Sequence, residues 1–186
     1  MSRGRTIVVA LGCLFLIGVY QAEAQGRPLD RRTQLIRDAA RLESEGDLAG
    51  AEAALLRLVR SDPTSLGGVF ALERVLRAQG RVEEMLPLLD AFLAQQGASE
   101  VRGLKLQLLG ETGAHEELIE DAEIWINEDS RREVVYRLVA RAYEPAFGAD
   151  RALEILQRGR AEIGASALAL DIGDILAAAG DLGGAV

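Results

Sequence analysis

Glycines recur along this chain at nearly equal distances, and each one opens the same kind of apolar segment. They stand at Gly46, Gly80, Gly113, Gly148 and Gly180, so the steps are 34, 33, 35 and 32 residues. A regular period of this length is typical of solenoids, in which each unit buries its apolar face against its neighbours. The glycines therefore predict five helix-turn-helix units.

The composition favours helices over a β-sheet core. Of the 186 residues, 49% are hydrophobic but only 4% are aromatic. A chain of this size can form one domain, and small and medium side chains suit closely packed helices. We therefore expect an all-α fold, an α-solenoid of helical repeats.

The N-terminus has the pattern of a secretory signal peptide. Two arginines precede an uncharged, mostly apolar run over residues 7–20, and Ala22-Glu23-Ala24 then fits a signal-peptidase site. We therefore predict a signal peptide over residues 1–24 and a short linker over residues 25–30. The mature protein would be exported to the periplasm or cell envelope, or secreted.

Two alternatives for the N-terminus stay open. An uncleaved anchor would keep the protein at a membrane, although about 15 apolar residues fall short of the ~20 that a spanning helix needs. A lipoprotein would use Leu11-Gly12-Cys13, although the apolar run continues beyond that cysteine. Because Cys13 is the only cysteine, a mature chain without the signal peptide has no disulfide and no thiolate metal site.

The charge of the chain argues against nucleic acid as a partner. Removing the signal peptide leaves 19 basic and 28 acidic residues, a net charge of −9. Binding to phosphates needs clustered positive charge. The expected partner is therefore a protein or a peptide.

Apolar residues at helical spacing between the glycines predict the helices. Their expected bounds are 31–45, 48–61, 65–79, 82–95, 99–111, 114–127, 130–143, 149–163 and 166–179. The corresponding units are about 31–64, 65–98, 99–130, 131–165 and an incomplete 166–186. In the sixth helix, the expected inward residues are Leu118, Ile119, Ala122 and Ile126.

Capping residues and prolines refine these bounds. We expect Ser65, Ser99 and Ser166 to be N-caps, and Ser130-Arg131-Arg132-Glu133 to form a capping box. Because proline lacks a backbone donor, Pro87 predicts a kink or a late helix start. Pro145 predicts a loop between the seventh and eighth helices.

The spacing of small residues resembles the tetratricopeptide repeat (TPR) across roughly residues 31–186. Small residues stand where helices of this family approach closely, and they fit in the first, fourth and fifth units. These residues are Ala39, Ala51, Ala140, Ala152, Gly173 and Ala185. The second and third units depart from the pattern, with Glu73 and Leu106 in the first helix and Met85 and Leu118 in the second.

The resemblance implies a right-handed superhelix whose first helices line a concave groove for peptides or partner helices. Carried over to this chain, the groove residues are Phe70, Arg74, Arg77, Gln107, Arg137 and Arg141. The four arginines suggest an acidic peptide or a C-terminal carboxylate, or they are solvated side chains paired with nearby glutamates. Ile36 and Ala40 replace the clamp residues of the chaperone-binding members, so that function is not supported.

No residue set indicates catalysis, a metal or a cofactor. His115 is the only histidine. As a general base it would need an orienting carboxylate and a substrate cleft, and as a metal ligand it lacks the second histidine of a zinc protease helix, so we expect a solvated turn residue. Trp125 is expected in the core. We therefore predict a protein without an enzymatic function.

The leading hypothesis is a non-catalytic protein–protein interaction scaffold of the bacterial periplasm or cell envelope. The alternative is a targeting or regulatory repeat arm of a longer exported enzyme. Val186 falls within the first turn of the expected second helix of the incomplete fifth unit, and terminal repeats normally need a polar cap. We therefore expect either further sequence beyond Val186 or self-association through that edge.

Overall fold

A computed structural model describes residues 30–164, 166–178 and 180. In these ranges the chain forms nine α-helices and one short 3-10 helix, and no strand. The helices are α1 Arg31–Ser44, α2 Leu48–Ser61, α3 Leu66–Ala78, the 3-10 helix Val82–Met85, α4 Leu86–Leu93, α5 Ser99–Glu111, α6 His115–Glu128, α7 Glu133–Phe147, α8 Ala149–Ile163 and α9 Ala169–Ala178. The predicted signal peptide (1–24) lies outside the described residues, as does the predicted linker (25–30) except for Asp30.

The repeating glycines occupy the turns inside the units. All five have a positive φ, between 69° at Gly80 and 91° at Gly148. Glycine adopts this left-handed conformation without strain. In the first turn, the Asp47 carboxylate then caps α2 by accepting a hydrogen bond of 2.9 Å from the Gly50 backbone N–H. The turn positions predicted from the period are therefore confirmed.

Only one of the predicted serine caps is present. Ser65 caps α3 through a bond of 3.3 Å from the Gly68 N–H, whereas Ser99 is already the first residue of α5 and Ala98 holds the cap position. The predicted capping box at Ser130 is also wrong, because α7 begins only at Glu133. The chain turns before that helix, and the Tyr136 hydroxyl donates to the Ser130 carbonyl at 2.8 Å.

The last helix starts later than predicted. Ser166 lies in a turn, and α9 begins at Ala169. Leu168 has a φ of 60°, a left-handed conformation that a helix cannot include. The prediction of an N-cap at Ser166 is therefore wrong.

The two prolines have opposite outcomes. At Pro87, the 3-10 helix gives way to α4, and the proline stands in the first turn of α4, where no donor is needed. This confirms the predicted late start. Pro145 lies inside α7 instead of in a loop, because the helix continues one more turn and the Phe147 ring packs 4.9 Å from the Tyr143 ring.

The core consists of two apolar clusters that meet at α5. Val101 and Leu108 on this helix belong to the cluster formed mainly by α1 to α4, whereas Leu106 and Leu109 belong to the cluster formed mainly by α6 to α9. Because its side chains point into both clusters, α5 is the shared central element. Among the described helices, the extensive contacts fall within a unit or between adjacent units, as in a solenoid.

Burial matches most of the predicted inward positions. Ala51 and Ala152 are completely buried where helices approach, and Trp125 is in the core, 2% exposed. Ile119 is an error of prediction, since it is 43% exposed. The buried stripe of α6 passes through Leu118 and Ala122, which turns Ile119 outward.

Candidate partner-binding groove

The first helices of the units form one face of the molecule. Helix α5 packs against α7, and α1 packs against α3. Between α3, α5 and α7 lies a depression of about 450 Å³, here called the central groove. Its lining residues are Phe70, Glu73, Arg77, Glu100, Gly103, Leu104, Gln107, Leu138, Arg141 and Ala142.

Gly103 on α5 lies under the side chain of Leu138 at the floor of the central groove. Gly103 stands between Phe70, which is 38% exposed, and the half-buried Leu138. A methyl group at Gly103 would lie only 3.1 Å from Leu138 Cδ1. Glycine at this position therefore lets Leu138 of α7 pack closely on α5, and Leu138 and Leu104 together form an apolar floor of the central groove.

A second depression continues the groove towards the C-terminal helices. This lateral cavity has a volume of about 290 Å³ and lies between α7, α8 and α9. It is lined by Arg137, Leu138, Ala140, Arg141, Glu144, Leu156, Asp171, Asp174 and Ile175. Because Leu138 and Arg141 line both depressions, the two form one continuous surface.

The structure places the sequence-predicted groove residues as follows. Phe70, Arg77, Gln107 and Arg141 line the central groove together, and Arg137 lines the lateral cavity. Arg74 lines neither of them. It reaches back to α1, where its guanidinium contacts the Glu43 carboxylate at 2.6 and 2.8 Å.

Sequence reasoning missed several groove residues. Gly103 is the most important of them, and it follows Phe70 by 33 residues, one period of the repeat. Extending the register from Phe70 to the next unit would have found it. No repeat position singles out Glu100 and Asp174 in the sequence. Whether these carboxylates are available to a ligand depends on which other carboxylates already pair with the arginines.

Most arginines on this face are paired with carboxylates of the neighbouring unit. Arg77 contacts Glu73 on its own helix at 2.5 Å and Glu111 on α5 at 2.8 Å. Arg137 contacts Asp171 on α9 at 2.8 Å. These ion pairs join the first helices of adjacent units. They therefore stabilise the spacing of the units and neutralise the charge of these arginines.

Arg141 differs from the other three arginines of the predicted groove. Its side chain is exposed, and it forms no ion pair with any residue in the described part of the chain. It is therefore the one guanidinium of the predicted set that is available to an incoming group.

Hydrogen bonds shift the pKa values of the paired groups in the directions that favour their charged forms. The bond from Arg74 lowers the pKa of Glu43, and the bonds from Glu111 and Glu73 raise the pKa of Arg77. Partial burial raises the pKa of Glu111, but bonds from Arg77 and Gln107 outweigh it and leave the value lowered. These hydrogen bonds therefore favour the ionised forms of Glu43, Arg77 and Glu111.

A smaller pocket of about 150 Å³ lies between α4, α5 and α6. Its charged groups are satisfied internally, since the Lys105 ammonium bridges Asp90 at 2.7 Å and Asp121 at 2.6 Å. The Arg102 guanidinium lies 5.7 Å above the Trp125 ring, a cation–π arrangement. These contacts hold the three helices together.

The described residues contain no group of three or more potential metal ligands. His115 is exposed at the start of α6, and its ring packs edge-on against Phe147 at 5.0 Å. Among the helices of the described ranges, none has the length and apolar character needed to cross a membrane.

No family model matches the sequence, and no curated protein is significantly similar to it. The structure resembles solved structures. MamA (residues 41-end) from Desulfovibrio magneticus RS-1 aligns with a TM-score of 0.50 at 14% identity, over 86% of this chain and 91% of that one. TTC0263, a thermophilic TPR protein from Thermus thermophilus, aligns with a TM-score of 0.51 at 14% identity, over 83% and 86%.

A set of nearly identical TPR-like repeats from Podosopora anserina aligns with a TM-score of 0.52 at 20% identity, over 83% of this chain and 89% of that one. At such identities the likeness concerns the fold alone. The chain therefore has the TPR fold, an all-α solenoid.

Proposed function

We propose that the protein is a non-catalytic interaction module that holds a segment of a partner protein in the central groove. The supporting observation is the concave surface between α3, α5 and α7, with Leu104 and Leu138 at its floor and Phe70 exposed at its edge. A concave, partly apolar surface with a few polar groups around it is typical of a site that binds another molecule. The ion pairs between consecutive first helices keep the groove in shape before the partner arrives.

We further propose that the module works outside the cytoplasm, as a scaffold in the periplasm or cell envelope. The signal-peptide pattern over residues 1–24 supports this location. Fractionation of cells that express the full chain, with mass spectrometry of its N-terminus, tests the proposal. The expected result is a mature protein beginning at Gln25 in the envelope or periplasmic fraction, and an uncleaved cytoplasmic protein would overturn it.

Site-specific crosslinking tests the interaction. A photoreactive phenylalanine replaces Phe70 in the groove, and in a matched control it replaces Ile119, which is 43% exposed on α6 outside the groove. Irradiation in the cell envelope is followed by identification of the crosslinked peptides by mass spectrometry. We expect one or a few partner segments at position 70 that are absent at position 119.

Two outcomes would contradict the proposed function. Identical products at positions 70 and 119 would show that the crosslinks arise from surface contacts that do not depend on the groove. No product at position 70, with the protein folded and exported, would show that nothing is held there.

A further inference from the structure

The charges around the groove determine which segment it can hold. Three exposed carboxylates on this face, Glu100, Glu144 and Asp174, form no ion pair with any other residue of the described ranges. Glu100 lines the central groove, whereas Glu144 and Asp174 line the lateral cavity. Against these three, the described lining residues offer a single unpaired cation, Arg141.

The paired groups add to the negative charge. Arg77 is shared by Glu73 and Glu111, so this cluster keeps one unit of negative charge. Arg137 is likewise shared by Asp171 at 2.8 Å and Glu133 at 3.6 Å. The face that carries most of the predicted arginines is therefore net acidic, and an acidic segment would meet repulsion along most of it.

We propose that the groove selects a positively charged segment with an apolar residue at its centre. This inference rests on the proposed function and specifies its ligand. The apolar side chain of the segment packs on Leu104 and Leu138 at the floor of the groove, beside Phe70. Lysine or arginine side chains on either side pair with Glu100 and with the carboxylates of the lateral cavity.

The size of the surface sets the length of the segment. The groove crosses three steps between first helices, from α3 to α5, to α7 and to α9, and of these pairs α5 and α7 pack extensively against each other. Packed helices lie about 8–10 Å apart, so the three steps cover at least about 25 Å. An extended chain rises by about 3.3 Å per residue, so at least about eight residues span them.

Selection from a random library of short peptides tests the inference without a known partner. The library, about eight residues long to match the groove, is selected on the purified protein, and clones that also bind the Phe70→Ala variant are removed. We expect enrichment of sequences with a central Leu, Ile or Met flanked by Lys or Arg. Binding of the selected peptides should weaken as salt increases.

Variants that remove charges of the groove then test whether its carboxylates bind the basic residues of the peptide. Glu100→Gln, Glu144→Gln and Asp174→Asn together should weaken a selected peptide about tenfold, since each exposed pair contributes modestly. The control combines Glu83→Gln, Glu120→Gln and Glu162→Gln, which changes the net charge equally at exposed positions outside the groove, and it should bind normally. Arg141→Gln should strengthen binding, because it removes the one cation among the described groove residues that has no carboxylate partner there.

The outcomes separate this inference from the proposed function. The inference of a cationic ligand would be overturned if the selected groove-dependent peptides lacked Lys and Arg, or if their binding weakened when Arg141 is replaced. The groove would still be a binding site in either case. No enrichment over the Phe70→Ala variant would overturn the proposed function and the inference together.

Discussion

Gly159 on α8 lies directly against the ring of Tyr136 on α7. A methyl group at Gly159 would overlap the base of that ring and would lie 2.7 Å from Leu168 Cδ1. Tyr136 is completely buried, and its hydroxyl is bound to the Ser130 carbonyl. The ring therefore has no room to move aside, and glycine is the residue that lets α7 and α8 pack at this distance.

We expect Gly159→Ala to lower the free energy of unfolding by about 1–3 kcal/mol through overpacking. The alanine would otherwise favour the helix by about 1 kcal/mol, so a loss of stability isolates the steric effect. Chemical denaturation followed by circular dichroism measures it.

The matched control for this substitution is Gly103→Ala, where the new methyl group meets the half-buried side chain of Leu138 at 3.1 Å. Because Leu138 borders the open groove, it can shift, and we expect a change below about 1 kcal/mol. Equal stability of wild type and Gly159→Ala would contradict the close α7–α8 contact.

Large side chains at the small repeat positions should also destabilise the fold. Ala51 and Ala152 are completely buried, so Ala51→Phe and Ala152→Phe should each cost about 1–3 kcal/mol. Ala53→Phe and Ala161→Phe are the controls, since both positions are exposed on the same two helices, and they should leave the melting temperature nearly unchanged. If all four variants melted like wild type, the assignment of the repeat register would be wrong.

The elements that were predictable from the sequence are those that a local pattern specifies. A glycine with positive φ is required at each turn, and the period made these turns visible. A small residue such as Ala51 is needed where two helices touch, and it recurs at Ala152, whereas Met85 and Leu118 hold the equivalent positions of the second and third units. By contrast, the local preference of Pro145 predicts a loop. The packing of Phe147 against Tyr143 overrides this preference.

The charge of the groove was less predictable than its position. The repeat register predicts Phe70 and Gln107 in the groove. It does not show which carboxylates form ion pairs with the arginines. Those partners come from a neighbouring unit, with Glu43 lying 31 residues before Arg74 and Asp171 lying 34 residues after Arg137. A solenoid brings residues about one period apart into contact, and applying that rule to charges would have found these pairs.

Acid should weaken the contact between α1 and α3. The bond from Arg74 holds the pKa of Glu43 below its ordinary value of about 4.3. The ionised carboxylate therefore stabilises the folded state at pH values above the pKa that Glu43 has in the unfolded chain. The contribution is lost as the pH falls through the lower, folded pKa. We therefore expect wild type to lose stability from about pH 4.3 downwards, and Glu43→Gln to lose less over the same interval.

Denaturation curves recorded at neutral pH and at a series of acidic pH values test this expectation. Glu120→Gln is the control, since Glu120 is exposed on α6 and forms no ion pair with the described residues. Parallel pH profiles for wild type and Glu43→Gln would show that the Arg74–Glu43 pair does not contribute to stability.

Replacing the arginines separates their structural role from binding. Arg74, Arg77 and Arg137 each join consecutive first helices, and an exposed ion pair contributes about 0.2–1 kcal/mol. The triple change of these residues to Gln should therefore lower the free energy of unfolding by about 1–2 kcal/mol, while the helical content at neutral pH stays intact. Arg141→Gln should leave stability unchanged, because Arg141 pairs with no described residue.

Salt provides a second test of the same assignment. Surface ion pairs are screened at high ionic strength, so the difference between wild type and the triple arginine variant should shrink as salt is added. A difference that persists in high salt would mean that the arginines stabilise the solenoid through the packing of their aliphatic stems instead of their charge. In that case Arg→Met substitutions, which keep an apolar stem, should restore most of the lost stability, and Arg→Ala substitutions should not.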